Sequence, residues 1–244
     1  MAPAGLRIDL VGCGGIGGHL APNLCRFLYA ERRPAHVLLI DGDAFEERNR
    51  SRMRFAAYEN KAVALARELA TAFGAVLTVE PVPEYVTAAN VGRLIGEGHW
   101  VLLAVDNFVT RHLVDEHCQA MRDVTLISGG NDGVEDGREG TYGNVQLVRR
   151  RDGRALSSSL GRFHPEIAEP RDAAPGGASC AELAQGGAPQ LLFTNLAVAS
   201  VMLNAFYRLL RGADARGYEE VYLDILKNRV VPVEREPPRG DDPS

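Results

Sequence analysis

The sequence has 244 residues, 45% of them hydrophobic and 24% charged, with a net charge of −5 and a pI near 5.7, a balance that suits one large α/β domain with a buried core. Its mild acidity argues against general nucleic-acid affinity. No run reaches the ~18 consecutive apolar residues of a membrane span, and Met1-Ala2-Pro3-Ala4-Gly5 lacks the basic-then-apolar form of a signal peptide, so a cytoplasmic protein without nucleic-acid or membrane partners is expected.

The apolar run Ile8-Asp9-Leu10-Val11 predicts a first strand. It leads into Gly12-Cys13-Gly14-Gly15-Ile16-Gly17-Gly18, after which Leu20, Leu24, Phe27 and Leu28 repeat at helical spacing. A glycine turn between strand and helix lets the backbone approach a phosphate, and the free N–H groups at the helix start attract anionic oxygens. The second strand, Val37-Leu38-Leu39-Ile40, ends in Asp41-Gly42-Asp43. An acid there can accept hydrogen bonds from ribose hydroxyls, which fits NAD and ATP equally. The following run, Glu46 to Arg54, carries arginines at 48, 50, 52 and 54, and guanidinium groups pair well with a triphosphate.

Asn60-Lys61 opens a helix with an apolar stripe of Val63, Leu65, Ala66, Leu69 and Phe73, ended by Gly74. Taken alone, Lys61 reads as a solvated surface lysine. A third strand over Val76–Val79, a short helix over Ala88–Ile95 and a buried fourth strand over Trp100–Ala104 follow. Asp106-Asn107 stands at the end of the fourth strand, where ligands bind in open α/β sheets; Asp106 is also placed to cap the helix that starts near Phe108. Val124–Ser128 is a fifth strand, Gly129 to Gly143 a loop, Asn144–Val148 a strand, and Arg149 to Gly187 a long stretch without sustained period. Leu191–Leu210 is helical, with Leu192, Leu196, Ala199, Leu203 and Phe206 on one face, and Glu220–Ile225 with Arg229–Val233 suggests a terminal hairpin around Lys227-Asn228. The four cysteines form no C-x-x-C pair; Cys13, Cys25 and Cys118 read as core residues, and Cys180 as a loop thiol.

Gly12-x-Gly14-Gly15-x-Gly17, Asp41-x-Asp43 with Asn49-x-x-Arg52, Lys61, and Asp106-Asn107 with Thr110-Arg111, in this order, resemble the ThiF/MoeB and ubiquitin-activating adenylation domains, most closely the short bacterial branch without a zinc site. The resemblance implies a Rossmann-like, mostly parallel sheet with flanking helices and antiparallel strands toward the C-terminus. It implies one adenylation domain over residues 1–236, with a crossover loop at 150–187 and a disordered tail at 237–244. The implied activity is ATP-dependent adenylation of the C-terminal carboxylate of a ubiquitin-like or sulfur-carrier protein ending in glycine, by an enzyme that is commonly a homodimer. Gly12, Gly14, Gly15, Gly17, Asp41, Asp43, Asn49, Arg52, Lys61 and Asn107 would bind the nucleotide. Arg52, Lys61 and Asp106 would serve catalysis, with Asp106 holding Mg²⁺, and Cys180 is a candidate nucleophile for a later transfer. Two other readings stay open: a non-catalytic adenylation-like partner subunit, and an NAD-dependent oxidoreductase, which has no use for Arg52, Lys61 or Asp106.

Overall fold

The computed structural model describes residues 5–50, 58–135, 138–173, 175, 190–212 and 217–235. The sheet begins with β1 (Leu6–Val11), β2 (Ala35–Ile40), β3 (Leu77–Val82), β4 (Trp100–Leu103) and β5 (Val124–Asn131), all parallel and ordered β5-β4-β1-β2-β3. A small hairpin, β6 (Val134–Glu135) and β7 (Arg138–Glu139), stands apart. The chain then returns antiparallel as β8 (Tyr142–Arg151) beside β5; β9 (Arg154–Ala155) pairs with the end of β8, and β10 (Glu220–Asp224) and β11 (Arg229–Val233) complete the antiparallel half.

The strand alternation divides the core in two. Ile8, Leu10, Val37, Leu39, Leu102 and Ile127 point to one face, under α1 (Gly17–Ala30) and α2 (Lys61–Phe73). Val11, Leu38, Ile40, Val101, Leu103 and Leu126 point to the other, under α3 (Val91–Leu94), α4 (Phe108–Gln119) and α5 (Pro165–Ala168). β1, β2, β4 and β5 are largely buried on both faces and so read as apolar runs in the sequence, whereas the edge strand β3 exposes Thr78 and Glu80. The first face is completed by α6 (Leu192–Leu210), whose Val198, Ala199, Met202, Ala205, Phe206 and Leu209 are buried. That stripe is rotated from the expected one: Leu196 is 41% exposed while Asn195 is fully buried. A helix that is apolar nearly all round gives periodicity little to choose between. By length and composition α6 could cross a membrane, but half of it is buried inside the protein.

Three further differences have local causes. The third strand runs on through Pro81, which is tolerated because β3 is the outermost strand at its end of the sheet; Pro232 on β11 lies at the opposite edge. The expected loop from Gly129 is instead strand as far as Asn131. Its glycines mark close approach, since a Cβ on Gly129 would lie 2.3 Å from Met202 Sδ and one on Gly130 would lie 2.6 Å from the Arg111 guanidinium. The stretch from residue 149 begins as the end of β8, reverses through Asp152 and Gly153 at positive φ into β9, and continues through a 3-10 turn (Leu160–Arg162) into α5. The terminal hairpin forms as expected, with Asn228 in the left-handed region at φ 49°.

Candidate nucleotide site

Parallel strands β4, β1 and β2 are neighbours, so the turns after them share one edge of the sheet, the usual ligand edge of such folds. The turn after β1 is tightly packed: a Cβ on Gly12, at φ +92°, would lie 2.7 Å from Ala104 O, and one on Gly17 would lie 1.9 Å from Gly12 O. Only bare backbone fits at either position. Among the described residues the N–H groups of Gly14, Gly15 and Ile16 donate to no protein acceptor, and the α1 N-cap, Ile16, supplies no side-chain cap. The start of α1 is therefore open to an anion.

Asp41 fastens this turn to the next one. Its Oδ2 accepts from Cys13 N at 2.7 Å and its Oδ1 from Asp43 N at 2.8 Å. Burial pushes the Asp41 pKa up, and nearby Lys61 together with these two N–H donors works against that shift. Asn60 fixes α2 beside it. Asn60 Oδ1 accepts from Val63 N at 3.1 Å, while Nδ2 donates to Asp41 O at 2.8 Å and Asp43 O at 3.1 Å. Lys61 is thereby held inward: it is only 6% exposed, so it is no solvated surface lysine, and its Nζ meets Asp43 Oδ2 at 2.9 Å. The Tyr85 hydroxyl donates to Asp43 Oδ1, and its ring covers Gly42, where a Cβ would lie 2.6 Å from it. Asn49 is buried, with its Oδ1 accepting from Glu46 N at 3.0 Å in a local turn.

After β4, capping of α4 falls to Asn107, whose Oδ1 accepts from Thr110 N at 2.8 Å. Asp106 is exposed and makes no hydrogen bond or ion pair among the described residues. Phe108 N and Val109 N donate to the carboxylate of Asp172, at 2.6 and 3.2 Å, so the segment after α5 is tied down two residues from Asp106. Beneath lies Arg111, which donates to Ser128 Oγ at 2.9 Å, Val105 O at 2.7 Å and Gly129 O at 2.6 Å; burial pulls its pKa down to about 10 against the charge of Asp106. Among the described residues no group of three or more His, Cys, Asp or Glu could cage a metal. The exposed Asp106 carboxylate does suit Mg²⁺, which binds through one or two carboxylates together with substrate phosphates.

Residues 4–239 match the ThiF family. The chain belongs to the ThiF family. No curated protein matches it. Among solved structures, PaaA is similar at 18% identity and a TM-score of 0.65, over 94% of this chain and 64% of that one. Escherichia coli MccB solved with ATP is similar at 14% identity and a TM-score of 0.67, over 94% of this chain and 63% of MccB. MccB solved with AMPCPP and MccA gives 13% identity and a TM-score of 0.67, over 96% and 66%. This ThiF-family chain thus spans about 64% of the length of the first of these structures, and the likeness confirms the Rossmann-like fold.

Of the expected site residues of this ThiF-family protein, Arg52 and Cys180 lie outside the described residues. Gly12, Gly14, Gly15, Gly17, Asp41, Asp43 and Lys61 form one hydrogen-bonded and packed unit, with Asp106 and Asn107 at the adjoining strand end. Cys13, Cys25 and Cys118 are buried free thiols, and burial raises all three pKa values, that of Cys25 to about 12, so they serve as core residues. Sequence reasoning missed Tyr85 and Asp172. Tyr85 had a signal, because it closely follows the third parallel strand on the same edge; Asp172 had none.

Proposed function

We propose that this chain is an adenylyltransferase that uses ATP to activate the C-terminal carboxylate of a peptide or small carrier protein. The observation supporting this most strongly is the buried Lys61 near the uncapped start of α1, an ammonium and a row of N–H groups that find no acceptor among the described residues, on the sheet edge that also carries Asp106. In this reading the glycine turn and Lys61 bind phosphate oxygens, joined by Arg52. Asp41, Asp43 and Asn49 orient the nucleoside, and Asn107 shapes the start of α4. Asp106 would hold Mg²⁺, which offsets phosphate charge. A substrate carboxylate oxygen attacks the α-phosphorus, forming the acyl-adenylate and releasing pyrophosphate, a step that needs alignment and charge neutralisation more than proton transfer.

MccB is solved with ATP and with the peptide MccA, which supports a peptide-like substrate here. The finer form of the proposal is a ubiquitin-like or sulfur-carrier protein ending in glycine, acted on by a cytoplasmic homodimer. Transfer to Cys180 would then form a thioester as its thiolate displaces AMP from the acyl carbon. Pyrophosphate exchange into ATP, dependent on a candidate peptide or carrier, tests the reading. Tighter binding of NAD than of MgATP would overturn it, and ATP binding without exchange across the candidates would favour the non-catalytic subunit.

A further inference from the structure

Asn195 stands in the first turn of α6 and lies against Gly15 of the glycine turn. A Cβ placed on Gly15 would lie 2.2 Å from Asn195 Nδ2 and 2.8 Å from Gln190 Oε1. The residue is fully buried, yet neither Nδ2 nor Oδ1 has a hydrogen-bond partner among the described residues. Interiors seldom leave both ends of an amide unpaired. Its neighbour Thr194, equally buried, donates to Gly140 O at 2.6 Å, so the surroundings can satisfy a polar side chain and do not satisfy this one. The N-cap of α6, Leu191, makes no side-chain cap either. The buried amide of Asn195, in the first turn of α6, thus lies against Gly15, one residue before the uncapped start of α1, where an anion would be drawn.

We infer that Asn195 is a nucleotide-contacting residue, its Nδ2 donating to a phosphate oxygen bound on the glycine turn and its Oδ1 accepting one of the turn's free N–H groups. The inference rests on the adenylyltransferase reading and extends it to a helix outside every glycine, acid and lysine motif in the chain. It also gives Gly15 a purpose: the missing side chain leaves room for an amide from another element. Gln190, only partly buried, lies against the same glycine and is the side chain that must yield as the anion enters.

The test separates binding from packing. Asn195→Leu has similar volume and removes an unpaired buried amide, so a purely structural asparagine would leave the melting temperature equal or higher and nucleotide binding unchanged. Calorimetry with AMPCPP and Mg²⁺ should instead show at least tenfold weaker binding, with the ligand-free melting temperature equal or higher. Asn195→Ala, which cannot overpack, should show the same loss if the leucine variant fails to fold. Wild-type affinity in either folded variant overturns the inference alone. A wild-type protein that binds no AMPCPP overturns the adenylyltransferase reading and this inference with it.

Discussion

Lys61 Nζ and Asp43 Oδ2 lie 2.9 Å apart, yet only 8% of the lysine side chain is exposed against 51% of the aspartate. The pair is lopsided: one charge depends on its partner, and the other can turn to water. Stranding a buried charge costs more than freeing an exposed one.

Asp43→Ala should therefore lower the melting temperature more than Lys61→Met, whose thioether keeps a buried side chain of similar length without a charge. Thermal melts of the two variants check the order, and a larger loss in the lysine variant would refute the asymmetry.

Lys61→Ala and Asp106→Ala should each slow substrate-dependent ATP–pyrophosphate exchange by at least ~100-fold, equivalent to ~2.7 kcal/mol of transition-state stabilisation. The two should differ in stability. Asp106 makes no hydrogen bond or ion pair among the described residues and only favours the charge of the buried Arg111, so its variant should lose little stability. Unchanged exchange in either variant removes that residue from the site.

Gly15→Ala and Gly17→Ala should both destabilise, for different reasons. The Gly15 methyl meets the Asn195 and Gln190 side chains, whereas the Gly17 methyl meets the backbone oxygen of Gly12 at 1.9 Å. Adding Asn195→Ala should recover much of the stability lost in the Gly15 variant and none of that lost in the Gly17 variant. Strictly additive losses in the first pair would show that the two residues are not in conflict.

Away from the site, His164 bridges two acids, with Nε2 2.7 Å from Glu220 Oε1 and Nδ1 3.0 Å from Glu166 Oε1, and Arg235 meets Glu220 Oε2 at 2.7 Å near Tyr222. The Glu220 hydrogen bond raises the His164 pKa above its ordinary 6.5. Burial pushes Glu220 up from its ordinary 4.5, but hydrogen bonds from His164 and Arg235 outweigh it and hold the carboxyl at about 2. The histidine's contribution to stability is complete below pH 6.5 and is lost as the pH rises through its raised value. The glutamate's is complete above 4.5 and is lost as the pH falls toward 2. Urea midpoints should show the group at its most stabilising between pH 4.5 and 6.5, and His164→Gln should lose most in that window. A constant difference between variant and wild type across pH would refute the coupling.

Local pattern carried most of the fold. Strands buried on both faces announce themselves as apolar runs, and Asp41 and Asp106 stand at strand ends that such runs locate, whereas Lys61 taken alone read as a surface lysine and became a site candidate only through the family resemblance. What could not be read acts across distance. Asp172 meets the start of α4 from 64 residues away, and Tyr85 reaches Asp43 across 42. Asn195 was hidden inside a helix whose apolar residues surround it, so its inward orientation followed only from how α6 rests on β5 and β8. Periodicity gives the face of an element only when the other face is polar.

Both rims of the nine-stranded sheet end in a strand carrying a proline, Pro81 at one and Pro232 at the other. Each deletes a donor from the row of amides that a docking strand would need. A second molecule, or a misfolded neighbour, finds an interrupted ladder on either side, so the sheet cannot be lengthened end to end into a fibre without skipping a rung. The protein can thus keep a wide, strongly apolar sheet without offering its rims as a template.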